Sequence, residues 1–184
     1  DNITRSTATC DDENLNARED FKDDFSVITD EQLRFMENQC NDYYNNTGYG
    51  IVASGALASI GDFAIVPGPN VKYPKGIRDL PEFMMAHSIC PEYIHELFEM
   101  HLEYAIKNAE LIYQACGDKI QVVYISGTDF GTQIGPFMSL DSYREFYKPY
   151  YQKINGWIHE HTNWKTFYHT CGAISTFLQD FYES

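Results

Sequence analysis

The feature that most constrains this chain is an alternation. Short apolar runs separate long stretches of helical periodicity. Tyr49-Gly50-Ile51-Val52-Ala53 has turn signals on both sides and suits a strand buried on both faces. Ile120 to Ile125 is a β-branched, apolar strand, and Thr166-Phe167-Tyr168-His169 is a third. A helix precedes the first strand. Thr29 with Gln32 forms a capping box, Leu33, Met36, Cys40 and Tyr43/Tyr44 recur at helical spacing, and Thr47-Gly48 ends it. Glycines and prolines from Gly55 to Gly76 make an irregular crossover. A helix around Leu80 to Ser88 follows. Pro91 then opens a long one carrying Ile94, Leu97, Phe98, Tyr104, Ala105, Leu111 and Ile112, closed by Cys116-Gly117. Ser139 caps a helix to about His161 that Pro149 should kink or split, and Ala173 to Tyr182 forms another. Strands alternating with helices indicate parallel βαβ units in an α/β fold. A closed eight-stranded barrel takes roughly 250 residues. With 184 residues the sheet is either open and doubly wound, or part of a barrel; the stop at Ser184, right after a helix, favours the second.

Composition narrows the function classes. Hydrophobic residues make up 43%, enough for one core, and fourteen tyrosines with twelve phenylalanines indicate a packed interior. Against 27 Asp+Glu stand 13 Lys+Arg, a formal charge of −14 that repels phosphate backbones and anionic lipid. Neither nucleic acid nor membrane is an expected partner. No apolar run approaches the roughly 20 residues that cross a bilayer, and Asp1 to Arg5 is not a secretory signal. Residues 1–28 are acidic, Asn-rich and aperiodic, and read as a solvated lead-in loop; residues 29–184 read as one domain. Cys10, Cys40, Cys90, Cys116 and Cys171 are odd in number and scattered. That is poor material for a disulfide framework, so a reducing cytoplasm is expected. The Asn2-Ile3-Thr4 and Asn45-Asn46-Thr47 glycosylation patterns are read as accidental.

Two segments carry chemistry. In Tyr168-His169-Thr170-Cys171-Gly172, side chains alternate along the strand, so His169 and Cys171 point to the same side. An imidazole and a thiol leaving the carboxyl edge together are two legs of a zinc site, and that edge is where α/β proteins build active sites. Gly172 permits a tight turn beside an ion. The plain alternative is a small buried cysteine beside a common histidine. The second segment runs from Ile125 to Pro136, where Asp129 and Gln133 offer a carboxylate and an amide to bind or protonate a ligand. Its plain alternative is a glycine-rich turn with Asp129 capping an amide. His159 and His161 face different ways and are expected in solvent, while His95 and His101 read as surface or interface residues. The glycines near Gly127, Gly131 and Gly135 are not a dinucleotide fingerprint. No phosphate loop or Ser-His-Asp constellation is evident.

Together, Asp129-Phe130-Gly131-Thr132-Gln133, then Ser139, Tyr143-Arg144-Glu145-Phe146 and Lys148-Pro149, then His169-Thr170-Cys171-Gly172, resemble the uroporphyrinogen decarboxylase-like superfamily. The resemblance runs from about Phe25 to the end. It implies a partial (β/α)8 TIM-type barrel. It also implies a zinc-dependent methyltransferase that moves a methyl group between a corrinoid and a thiol. On that basis His169 and Cys171 would be zinc ligands, with a third beyond Ser184. Asp129 would be catalytic and, with Gln133, would position substrate or corrinoid. The implied partners are a small-molecule thiol or a corrinoid protein, and family members often pair as homodimers. A second branch decarboxylates uroporphyrinogen without a cofactor, and a third outcome is a non-catalytic corrinoid- or ligand-binding barrel domain. The chain departs from the decarboxylase branch in lacking an amino-terminal arginine-rich segment: its arginines are Arg5, Arg18, Arg34, Arg78 and Arg144.

Overall fold

A computed structural model describes residue 6, residues 8–53 and residues 57–184. The Asp1 to Arg5 start, the Asn2-Ile3-Thr4 pattern and Gly55 lie outside these. The order is α1 (Ala17–Asp20), α2 (Asp30–Asn46), β1 (Val52–Ala53), α3 (Leu80–Ile89), α4 (Pro91–Cys116), β2 (Val122–Ser126), α5 (Leu140–Phe146), α6 (Lys148–His161), β3 (Lys165–Tyr168) and α7 (Leu178–Tyr182). The three strands form one parallel sheet in sequence order, with β2 central. The architecture is mixed α/β with parallel pairing, and among the described residues the sheet is not closed into a barrel.

Local chemistry explains most boundaries. Thr29 and Gln32 exchange both bonds of the capping box, and Ser139 Oγ accepts the Ser142 amide at 3.0 Å. Pro91 and Gly117 bracket the 26 residues of α4. Pro149 resolves its conflict by splitting the helix: the chain breaks at Tyr147, and Pro149 falls in the first turn of α6, where its missing N–H is harmless. The last helix starts later than the spacing suggests. A 3₁₀ turn at Ser175–Phe177 precedes the short α7. The first strand is also shorter than its apolar run. Tyr49 is 85% exposed and Val52 55%, so β1 is a solvated edge strand, not one buried on both faces. Among the described residues it has a strand neighbour on one side only.

The core surrounds α4, which packs against α1, α2, α3 and α6. Ile94, Leu97, Phe98, Ala105, Ala109 and Ile112 are buried along it. Phe98 meets Phe83, His87, Tyr147 and Tyr150, ring against ring. This wide apolar face corrects the surface reading of two histidines. His101 is only 9% exposed and stacks on Phe25 with ring centroids 4.2 Å apart, while the half-buried His95 bonds the Tyr150 hydroxyl at 2.9 Å. A helix covered on several sides buries positions six apart as readily as those four apart. His159 and His161 are in solvent, as their spacing suggests.

The amino-terminal segment differs most from its reading as a solvated loop. Ala17 is fully buried and Phe21 is 3% exposed. Arg78, buried, grips Asp24 through two bonds of 2.9 and 2.8 Å and lies over the Phe21 ring. Cys10 and Cys90 form a disulfide across 80 residues. The scattered cysteines, read as poor material for a disulfide framework, nonetheless give this one bond: two positions far apart in sequence meet because the segment folds back over α3. Cys40 and Cys116 are buried thiols and Cys171 an exposed one. No helix among the described residues is long and apolar enough to cross a membrane.

Candidate metal centre

Two loops leave the carboxyl edge of the sheet side by side. The register between β2 and β3 slips between Tyr124 and Ser126. The Ile125 carbonyl is thereby free to accept the amides of Ala58 and Ser59 at 3.0 and 2.9 Å, tying the β1 loop to the end of β2. Ser126 Oγ bonds the Tyr151 hydroxyl at 2.7 Å, and Thr128 donates to the Ile60 carbonyl at 3.0 Å. The backbone that presents Asp129 is therefore held on both flanks.

The β3 loop then zips onto this frame. The His169 amide donates to the Ser126 carbonyl at 2.9 Å, and the Phe130 amide to Thr170 Oγ1 at 2.9 Å. The Cys171 amide donates to Asp129 Oδ1, and the Ala173 amide to the Thr132 carbonyl, both at 2.7 Å. Two glycines make this approach feasible. Gly172 sits at φ 93°, and a Cβ there would collide with the Gly131 backbone. A Cβ on Gly131 would in turn come within 2.9 Å of the Ala173 amide nitrogen.

The result is a cluster at the rim. Cys171 Sγ lies 3.3 Å from His169 Nε2, and His169 Nε2 lies 4.0 Å from Asp129 Oδ1. The three ligand atoms all fall within 4.8 Å of one another. His169 and Cys171 thus leave the strand end on a common side, and Asp129 joins them from the neighbouring loop. It does so while capping the Cys171 amide, which is the role its plain reading expected. Gln133 is not drawn in. It stands exposed on the Thr132–Gly135 turn and takes part in none of these hydrogen bonds.

Electrostatics separates two uses of the thiol. The Asp129 carboxylate, helped by desolvation, holds Cys171 above the ordinary thiol range. Cysteine nucleophiles are activated by cationic surroundings, and a carboxylate neighbour works against that. A metal ion reverses the balance, because its charge deprotonates a bound thiol outright. The donor set suits zinc: soft sulfur, imidazole nitrogen and carboxylate oxygen, three protein ligands with one position left open. Zinc bond lengths of ~2.3 Å to sulfur and ~2.0 Å to nitrogen imply a tetrahedral edge of roughly 3.5 Å. The observed 3.3 Å between Sγ and Nε2 needs little adjustment.

One neighbouring residue escaped the sequence reading. Asp62, in the loop after β1, is half-buried, and desolvation together with the Asp129 charge raises its carboxyl above the usual range. It lies nine residues past the end of β1, so the strand-end logic that singled out Asp129 gives no signal for it. Compared with known families and curated proteins, the chain matches no family model and no curated sequence.

Proposed function

We propose that this chain is part of a zinc-dependent methyltransferase of the uroporphyrinogen decarboxylase-like superfamily, moving a methyl group between a corrinoid and a thiol. Its parallel sheet would then be one arc of a (β/α)8 barrel. The observation that carries the reading is the convergence of Asp129, His169 and Cys171 at the carboxyl edge. Zinc held there by His169 and Cys171, with Asp129 as the third donor inside the described chain, would act as a Lewis acid that lowers the pKa of an acceptor thiol. The chain's own contribution is positional. Asp129 Oδ1 fixes the Cys171 backbone. Where a donor from elsewhere completes the zinc site, the Asp129 carboxylate would instead take the acceptor's proton. Gly131 and Gly172 press the two loops together, so the donors are held before any ion arrives.

The arginines weigh against the decarboxylase branch. Arg18, Arg78 and Arg144 are engaged with Glu103, Asp24 and Asp180 of their own scaffold, which leaves them unsuited to clamping a polycarboxylate. A cytoplasmic location belongs to the reading as first expected, but the Cys10–Cys90 bond argues for an oxidising compartment. Thiol counting on protein trapped directly from cells separates the two. The metal assignment is tested by elemental analysis of the purified chain beside His169→Ala, Cys171→Ala and Asp129→Asn. We expect about one zinc per chain, lost in the first two variants and weakened in the third. Unchanged zinc in both His169→Ala and Cys171→Ala would overturn the assignment.

A further inference from the structure

We propose that the cleft behind the β1 loop, walled by Asp24, Phe25, Ser59, Asp62, Asn70 and His101, is a binding site for a small organic ammonium ion. The cleft encloses 260 Å³, and none of the Asp129, His169 and Cys171 side chains lines it. That volume falls just below the range of roughly 300–1,000 Å³ usual for ligand pockets and suits a molecule of a few heavy atoms. The inference does not depend on a metal being bound.

Charge selects the class of ligand. Asp24 is already neutralised by Arg78. Asp62 accepts the Ala64 amide at 2.8 Å but, among the described residues, has no cationic partner. The cleft therefore carries one uncompensated carboxylate, and the nearby Asp129 adds to its negative field. An anion is repelled, and a cation would supply the missing partner.

The walls select for an organic cation over a bare metal ion. Phe25 stacks on His101 and the two rings form the aromatic wall of the cleft; the crevice behind them, towards Phe21, Phe83 and Phe98, has only 20 Å³ and takes no part of the ligand. Alkyl groups on an ammonium fit such aromatic surfaces, and the charge gains from ring faces as well as from Asp62. His101 supplies the second, independent observation. It is 9% exposed, lines both spaces, and neither ring nitrogen is hydrogen-bonded to a described residue. A ring nitrogen reached from the cleft can bond a ligand hydroxyl or N–H. Burial pushes the imidazole down to about 3, so it meets the ligand as a neutral group that can both donate and accept.

The test is calorimetric titration of the full chain with choline and, separately, with its uncharged isostere 3,3-dimethylbutan-1-ol. We expect saturable choline binding, with the alcohol weaker by about tenfold or more. Asp62→Asn, a half-buried isosteric change, should weaken choline by a similar factor and leave the circular dichroism spectrum intact. His101→Phe should weaken choline while keeping the aromatic wall, and a melting curve establishes that this variant folds. His169→Ala should bind choline as the parent does, so failure of the metal reading would leave this result standing. No saturable choline heat, equal affinity for the alcohol, or an Asp62→Asn variant that binds as well as the parent would each overturn the proposal.

Discussion

Phe98 on α4 and Asp129 past β2 occupy opposite kinds of surroundings. Phe98 is fully buried and touches rings: Phe83, His87, Tyr147 and Tyr150. Asp129 stands half-exposed at the rim and meets a backbone amide, an imidazole and a thiol. The interior draws its stability from area removed from water, which is tolerant of detail and spread over many side chains. The rim is held by a few backbone hydrogen bonds and two glycines, which is intolerant of detail and local. A substitution in the first region should cost stability. One in the second should cost ligand binding first.

The largest effect that would sharpen this contrast is Phe98→Ala. Removing a ring from a site with no exposure should cost about 4 kcal/mol in urea denaturation, from lost burial and the cavity left behind. Asp24→Ala comes next. It leaves the Arg78 guanidinium buried without its partner, at a cost of about 3 kcal/mol, and should loosen residues 8–28 enough to register in amide hydrogen exchange. Gly172→Ala should cost about 2 kcal/mol, since alanine is strained at φ 93° and its methyl group meets Gly131. Here the comparison can break: if zinc binding survives Gly172→Ala while stability falls, the rim is scaffold and not site. The smallest effect concerns Asp180, which Arg144 and Lys148 hold at about 2, below the usual carboxylate range. A depressed folded pKa stabilises the protein above the ordinary value and loses that contribution as pH falls towards 2. Melting curves taken from about pH 5 down to 2 should fall less steeply for Asp180→Asn than for the parent.

How much of this was legible follows from where each determinant lies in the chain. The bounds of α4 could be read because Pro91 and Gly117 punctuate it locally. The split at Pro149 was visible for the same reason. His169 and Cys171 were legible as a pair from strand alternation, although both lie just past β3 and are held by the bonds of the His169 and Cys171 amides to Ser126 and Asp129. The amino-terminal segment was not readable. Its anchors, Arg78 to Asp24 and Cys10 to Cys90, are separated by 54 and 80 residues and leave no local period. His101 was misjudged because spacing within one helix says nothing of how many neighbours cover it. Asp129 was recognised as a candidate, but its meeting with His169 and Cys171 depends on how two loops zip together. That pairing rests on Gly131 and Gly172, which look like ordinary turn glycines in sequence.

The most direct measurement is cobalt(II) substitution followed by electronic absorption. Sulfur and imidazole coordination at Cys171 and His169 predicts a thiolate-to-cobalt charge-transfer band in the near ultraviolet, together with intense visible bands from a four-coordinate ion; Cys171→Ser should abolish the first and His169→Ala should weaken both. A cobalt spectrum without the sulfur band, or one that persists in Cys171→Ser, would contradict a metal centre at this rim.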